Sequence, residues 1–296
     1  MSDVSEVLDL SLLPKPDAIE TLSFETLVDE RLKDFAARSS QVGVPYTVTG
    51  LETDPIVIDQ QVHAFREMLM RARVNNGIRS VLPAFARGAD LENVVARANV
   101  VRIVRYGDND EIIFQESDTA LLRRYLASFA APAAGSEDGY TFAALKAYPE
   151  AHDIKVRNGG AGKVLVHLLA DGGMQTPLDS VFAVAKALDA KDVRPLTDDV
   201  TVSAAVINPY SMAGKLVVPR GPDPSQVVAA AVASVRAFGA SRYRIGAEIP
   251  ISALQAAAYV PNVLRVVMES PVEDMPAVAN VAPYLVNVSL TYEVQA

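Results

Sequence analysis

The stretch Lys163-Val164-Leu165-Val166-His167-Leu168-Leu169 decides the fold of the C-terminal half. It is short, aliphatic and rich in valine, and it reads as a strand. Thr176-Pro177 then opens an apolar-periodic run from Leu178 to Leu188, a helix, and Val200 to Ile207 returns as a strand. The same alternation follows downstream. Gly214 to Val218 reads as a strand, Ser225 to Phe238 as a helix after Pro222 and Pro224, and Ile249 to Tyr259 as mostly helix. Val263 to Met268 is a further strand. In the closing strand, Leu285 to Tyr292, Val286, Val288, Leu290 and Tyr292 alternate with Asn287, Ser289 and Thr291. Strands alternating with helices build a layered α/β arrangement. The two strand–Pro–helix units that start at Lys163 and Lys215 are loosely alike, as an internal duplication would leave them.

Upstream the pattern differs. Val101 to Tyr106 and Glu111 to Gln115 are β-like runs joined by Gly107-Asp108-Asn109-Asp110, a turn composition, and so predict a hairpin. Helices are expected over Ser117 to Phe129 and Thr141 to Tyr148, a small-residue flexible stretch over Ala131 to Gly139, and a strand over Ile154 to Val156. Residues 17–100 read as mainly helical. Leu27, Val28, Leu32, Phe35 and Ala36 make a stripe near helical spacing within Asp17 to Arg38. Val62, Phe65, Leu69 and Ala72 make a second stripe on a helix entered at Asp54-Pro55, with Asp59 as the expected N-cap and Glu67 and Arg71 paired outside. Asn75-Asn76-Gly77 is expected to loosen that helix. Val81 to Ala86 reads as helical again, and Asp90 as the cap of a short helix through Ala98. Residues 1–16 read as a tail ending in Pro14-Lys15-Pro16. The expected class is α+β. Its parts are the tail, a helical region over 17–100, a hairpin-and-helix region over 101–160 and an α/β domain over 161–296.

Composition narrows the chemistry. The 296 residues include no cysteine and only three histidines, so thiolate zinc sites, iron–sulfur clusters, disulfides and cysteine nucleophiles are excluded. A net charge of −9 argues against a general nucleic-acid binder. The start, Met1 to Leu10, is acidic and has no secretory pattern. Mean hydropathy is +0.18, yet no apolar run reaches the roughly 20 residues a membrane helix needs. A soluble intracellular protein with much small apolar surface is expected.

The motif search is mostly negative. Asn158 to Lys163 is glycine-rich, but Arg157 stands where a phosphate loop needs its first glycine, and a strand follows where a helix is required. His63, His152 and His167 share no metal-ligand spacing. Asp108, Asp110 and Glu111 do not complete a calcium loop. No G-x-S-x-G elbow is present. No catalytic, cofactor-binding or metal residue is therefore assigned. The charge pattern has one local reversal. Arg66, Arg71, Arg73 and Arg79 make a basic stretch in an acidic chain, followed by Arg97, Arg102 and Arg105. It reads either as a solvated helix face or as a docking surface for an acidic neighbour.

Four segments in order carry a family resemblance. They are Arg66-Glu67 through Arg73-Val74-Asn75 with Ala84-Phe85-Ala86-Arg87-Gly88-Ala89-Asp90-Leu91-Glu92; Asp192-Val193-Arg194-Pro195-Leu196-Thr197-Asp198-Asp199-Val200-Thr201-Val202; Tyr243-Arg244-Ile245-Gly246; and Val260-Pro261-Asn262-Val263. The chain resembles the baseplate J-like proteins of contractile phage tails, with Glu92 where that family usually has a second Asp. The resemblance implies a non-enzymatic wedge component of the tail baseplate, in a ring around the central hub that rearranges on sheath contraction. It implies assembly in the host bacterial cytoplasm and residence in the virion. The implied partners are a second copy of the chain, other baseplate wedge proteins and the hub or tail-tube-end proteins, with no nucleic acid and no membrane. It moves the stripe of Leu27, Leu32 and Phe35 from an own-core reading towards a bundle seam with a neighbour. Arg66, Arg71 and Arg73 join these as interface candidates, as does Arg194, placed to cap the C-terminal carbonyls of the preceding helix. Two alternatives stand beside this: the equivalent part of a phage-tail-like bacteriocin or injection device, and a hydrolase using scattered carboxylates.

Overall fold

A computed structural model describes residues 13–14, 16–47, 51–129, 135–191, 193–221 and 223–295. Most of the expected tail, the first part of the Ala131 to Gly139 stretch, Asp192 and Pro222 lie outside the described residues. The chain divides into two compact units, Met1–Arg102 and Ile103–Ala296. The fold is α+β, with a helical N-terminal unit, as the sequence implies.

The first unit is built on α1 (Phe24–Gln41), α2 (Pro55–Ser80) and α3 (Gly88–Val95). Helix α1 starts later than expected. Ile19 N–H donates to Pro16 O in a turn, and Glu20 is held by its backbone from α2, so the chain ahead of Ser23 is spoken for. Ser23 Oγ caps α1 by accepting from Thr26 N–H at 3.3 Å. The cap of α2 is Asp54, not Asp59. Asp54 Oδ1 accepts from Ile56 N–H at 2.8 Å and from the Tyr46 hydroxyl at 2.7 Å, and Pro55 takes the first helical position. Asp59 stands one turn inside the helix, 3.6 Å from His63. Asn75-Asn76-Gly77 does not interrupt α2, which runs on to Ser80. Val81 to Ala86 forms turns rather than helix, with Phe85 and Ala86 N–H both donating to Leu82 O. Asp90 is in the first turn of α3, where its charge suits the helix N-terminus, but Arg87 is the N-cap residue.

The second unit opens with the hairpin of β1 (Val104–Tyr106) and β2 (Ile112–Gln115), antiparallel and with Asp110 at positive φ in the turn. A buried ion pair closes its base. Arg124 Nε and Nη2 donate to Glu116 Oε1 and Oε2 at 2.9 and 2.6 Å, and Glu116 Oε2 also accepts from Ile103 N–H. Arg124 belongs to α4 (Asp118–Ser128), and α5 (Glu137–Ala147) follows.

Two three-stranded sheets share one plan. In the first, β4 (Lys163–Leu169) is central, antiparallel to β3 (Asp153–Gly160) and parallel to β5 (Asp199–Ala204), with α6 (Leu178–Leu188) as the crossover. Val156, Val166 and Leu168 meet Tyr140, Leu145, Val184 and Leu188 of α5 and α6. The glycine-rich segment is the β3–β4 turn, which needs Gly160, Ala161 and Gly162 all at positive φ. In the second sheet, β6 (Val206–Val218) is central, antiparallel to β7 (Arg265–Ser270) and parallel to β8 (Val281–Val294). Its core joins Met212, Leu216 and Val288 to Val227, Ala231 and Val235 of α7 (Pro224–Arg242) and Leu254 of α8 (Ile251–Ala258). The two units expected to be duplicates differ in order, since the antiparallel neighbour precedes the central strand in one sheet and follows it in the other.

The sequence reads Val200 to Ile207 as one strand and Gly214 to Val218 as another. The break instead falls at Ala205. Ala205 N–H donates to Leu168 O of the first sheet and Val206 N–H to Asn280 O beside the second, both at 2.8 Å. Gly214 lies inside β6, where a Cβ would sit 2.6 Å from Val267 O. Gly214→Ala is expected to destabilise the second unit by about 1–3 kcal/mol, as other overpacked sites do. Gly77→Ala, with open space around it in α2, is expected to stabilise the first by about 0.5–1 kcal/mol. Urea unfolding followed by circular dichroism checks both.

Candidate functional site

The sequence singles out α1 and α2, and the structure splits their apolar residues into two sets. Leu27 and Leu32 are buried within the first unit, where α1 lies along α2. Phe35 is half-buried, its ring edge-on to Tyr46 with centroids 5.3 Å apart. Helix α2 turns Val57, Ala64 and Asn75 inward. The stripe read from the sequence lies elsewhere. Ile58, Val62, Phe65 and Leu69 are 48–53% exposed, and with Ala72 they follow the 4-3-4-3 spacing of a coiled-coil seam. That seam is rotated roughly a third of a turn from the buried stripe, at 3.6 residues per turn.

Asn75 is the residue sequence reasoning missed. Read as a helix loosener, it is buried instead. Its Oδ1 accepts from Glu20 N–H at 3.1 Å and its Nδ2 donates to Glu20 O at 2.9 Å. One amide thereby satisfies both backbone groups of an irregular segment. Its spacing from Ala64, eleven residues, was the available signal.

The arginines also divide. Arg71 bridges Glu67 at 2.8 Å and Glu20 at 2.9 Å, and Arg31 reaches Glu67 from α1 at 2.9 Å. Arg66 and Arg73 are exposed, and no ion pair holds them among the described residues. Arg66, Met70 and Val74 line a groove of about 580 Å³ with the Glu20, Glu67 and Asn75 cluster. Arg194 does not cap the carbonyls of α6. Its guanidinium meets the Asp189 carboxylate at 3.1 Å and donates to Asp198 O at 3.4 Å.

A second cleft, of about 290 Å³, lies in the other unit beside His152, Asp171, Arg236, Tyr243 and Asn287. His152 Nδ1 is 3.1 Å from Asp171 Oδ1 and Nε2 is 2.8 Å from Tyr243 O. Both ring nitrogens face oxygens of the protein, so this histidine ties α7 to the ends of β3 and β4 rather than offering a free nitrogen to a substrate. His167 Nδ1 meets Ser203 Oγ at 2.9 Å on the neighbouring strand, and burial holds its pKa below the usual histidine value, with Arg157 adding to the shift. Among the described residues no three His, Asp or Glu side chains gather as a metal site, and no helix is long and apolar enough to cross a membrane.

The baseplate J-like N-terminal domain family matches residues 52–107, which carry α2, α3 and β1. Baseplate protein J of Escherichia phage P2 is 33% identical over 279 residues, covering 91% of this chain and 92% of that protein. The chain belongs to the baseplate J-like family. In solved structures, the cryo-EM baseplate of the anti-feeding prophage, 6-fold symmetrised, contains a chain of which 43% matches 59% of this one, at 16% identity and a TM-score of 0.40. One of the segments that carry the sequence resemblance marks a backbone requirement. In Val260-Pro261-Asn262-Val263, Pro261 precedes Asn262 at φ 71° and Val263 N–H donates to Val260 O, a type II arrangement. Tyr243 and Ile245 are buried where the two sheets meet.

The Glu67 cluster has a pH signature. The Arg71 guanidinium, followed by Arg31, holds the Glu67 carboxyl below the usual carboxylate range. A carboxyl with a lowered folded pKa stabilises above its unfolded value, about 4.3, and loses that contribution as pH falls through the folded value. The first unit is therefore expected to weaken below about pH 4, and Glu67→Gln to flatten that dependence while lowering stability at neutral pH. Urea midpoints at acid and neutral pH measure it.

Proposed function

We propose that this chain is a structural wedge component of a contractile phage tail baseplate, acting through packing interfaces rather than chemistry. Its kinship along nearly the whole chain with a named phage baseplate protein carries this reading. It resides in the virion at the tail baseplate and is assembled in the host cytoplasm. Its partners are a second copy of itself, other wedge proteins and the hub or tail-tube-end proteins, around which the copies form a ring.

The exposed seam of α2 supports the bundle part of this reading. An apolar stripe with heptad spacing on a long helix is built to receive another helix. Ile58, Val62, Phe65 and Leu69 are already about half covered, so completing their burial adds about half of the roughly 1.5–3 kcal/mol that full burial of such a side chain is worth. Leu27, Leu32 and Phe35 serve the bundle from within, by fixing α1 on α2 so that the seam is presented rigidly. Arg66 and Arg73 stand beside the seam and suit an acidic neighbour, with Arg71 anchored by its two carboxylates. Arg194 holds the α6–β5 connection, whose Leu196 is fully exposed for contact. A ring that rearranges on contraction needs interfaces with two discrete arrangements. Helix seams flanked by surface charges suit that requirement.

The test is co-expression with the neighbouring tail proteins. Phe65→Glu with Leu69→Glu is expected to abolish co-purification while circular dichroism stays unchanged. Leu27→Asp with Leu32→Asp is expected to unfold the first unit. Retained assembly by the seam variant would remove the bundle reading.

A further inference from the structure

Two surfaces remain whose features answer each other. The first is the hairpin β1–β2. A two-stranded ribbon is marginal by itself, and this one exposes Tyr106, Ile112 and Ile113. Ile112 and Ile113 are consecutive on a strand, so their side chains leave opposite faces of the ribbon, and both are exposed. Its turn carries Asp108, Asp110 and Glu111 and no cation. The second surface is the arginine face of α2. Arg31 and Arg71 are balanced there by Glu67 and Glu20, which leaves Arg66 and Arg73 beside the exposed apolar Met70 and Val74. One surface is apolar with an anionic tip, and the other is apolar with free cations.

We propose that the hairpin tip of one copy docks on the arginine face of α2 in a second copy. Asp108, Asp110 and Glu111 meet Arg66 and Arg73, and an isoleucine of the tip covers Met70 and Val74. This rests on reading the α2 arginines as a docking surface and names the occupant. The groove of about 580 Å³ suits a loop tip. Two copies with net charge −9 repel at long range, so a local reversal of sign selects where they approach. The surface charges set orientation and approach, and the apolar contact supplies the affinity. Each copy offers one of each surface, so the contact closes reciprocally into a two-fold pair or repeats head-to-tail into a ring or chain, and the sedimenting species distinguishes the two.

Sedimentation velocity of the full chain across concentration, at low and high salt, tests this with three variants. The tip swap is Asp108→Lys, Asp110→Lys and Glu111→Lys. The face swap is Arg66→Glu and Arg73→Glu. The third variant carries both. The wild type is expected to self-associate, less so at high salt. Each single swap is expected to weaken association by about tenfold or more, and the double swap to regain most of it. A wild type that stays monomeric, single swaps that change nothing, or a folded double swap that fails to recover would each overturn the proposal. If the face swap disrupts assembly with neighbouring tail proteins while the tip swap leaves self-association intact, the arginine face remains a docking surface and the hairpin is not its occupant.

Discussion

The second unit depends on the hand-over at Ala205. From Asp199 to Val218 the chain follows one extended path, but its hydrogen-bond partners change in a single step, from β4 to the strand that begins at Val281. Each backbone group must find a partner when buried, and here the two requirements are met by successive amides. The side chain has to be small. Ala205 is buried among Leu169, Tyr243, Ile245 and Ala282, where two cores converge. Around it the Tyr243 hydroxyl donates to Ala170 O, and Ile245 N–H donates to Asp153 Oδ2. The sheets are therefore joined by strand continuity and by polar contacts from both sides.

Glycine placement follows from the same closeness. A Cβ at Gly239 would sit 2.5 Å from Leu285 Cδ2, and one at Gly173 would overlap the Tyr284 ring. Helix α7 can lie against β8 because Gly239 continues a four-residue spacing of Val227, Ala231 and Val235. Small residues, abundant in the composition, allow elements to approach rather than merely filling space.

Much of the fold is legible in the sequence because periodicity is local. The span from Lys163 to Leu169 and the helix from Leu178 to Leu188 are observed with those boundaries. The switch at Ala205 is not legible, because Ala204-Ala205-Val206 has the composition of an uninterrupted strand and the change lies in its partners. The cap of α2 is illegible for a related reason. Asp54 and Asp59 have the same capping chemistry, and the hydroxyl of Tyr46 helps fix the choice. For α2, the pattern revealed an apolar stripe but could not say whether the chain itself covers it. The stripe that is covered contains Asn75, which hydropathy counts as polar.

The parallel pairing of β6 with β8 also orders events in time. Lys215 and Glu293 meet across 78 residues of sequence. Closing so long a loop costs entropy before any contact repays it, so this sheet is intrinsically slow to form compared with the β3–β4 hairpin. Until it closes, β6 presents a long open edge carrying the apolar alternation of Tyr210, Met212 and Leu216. The chain thus passes through a vulnerable stage, and an encounter between identical chains at that stage turns a topological choice into a hazard of mispairing.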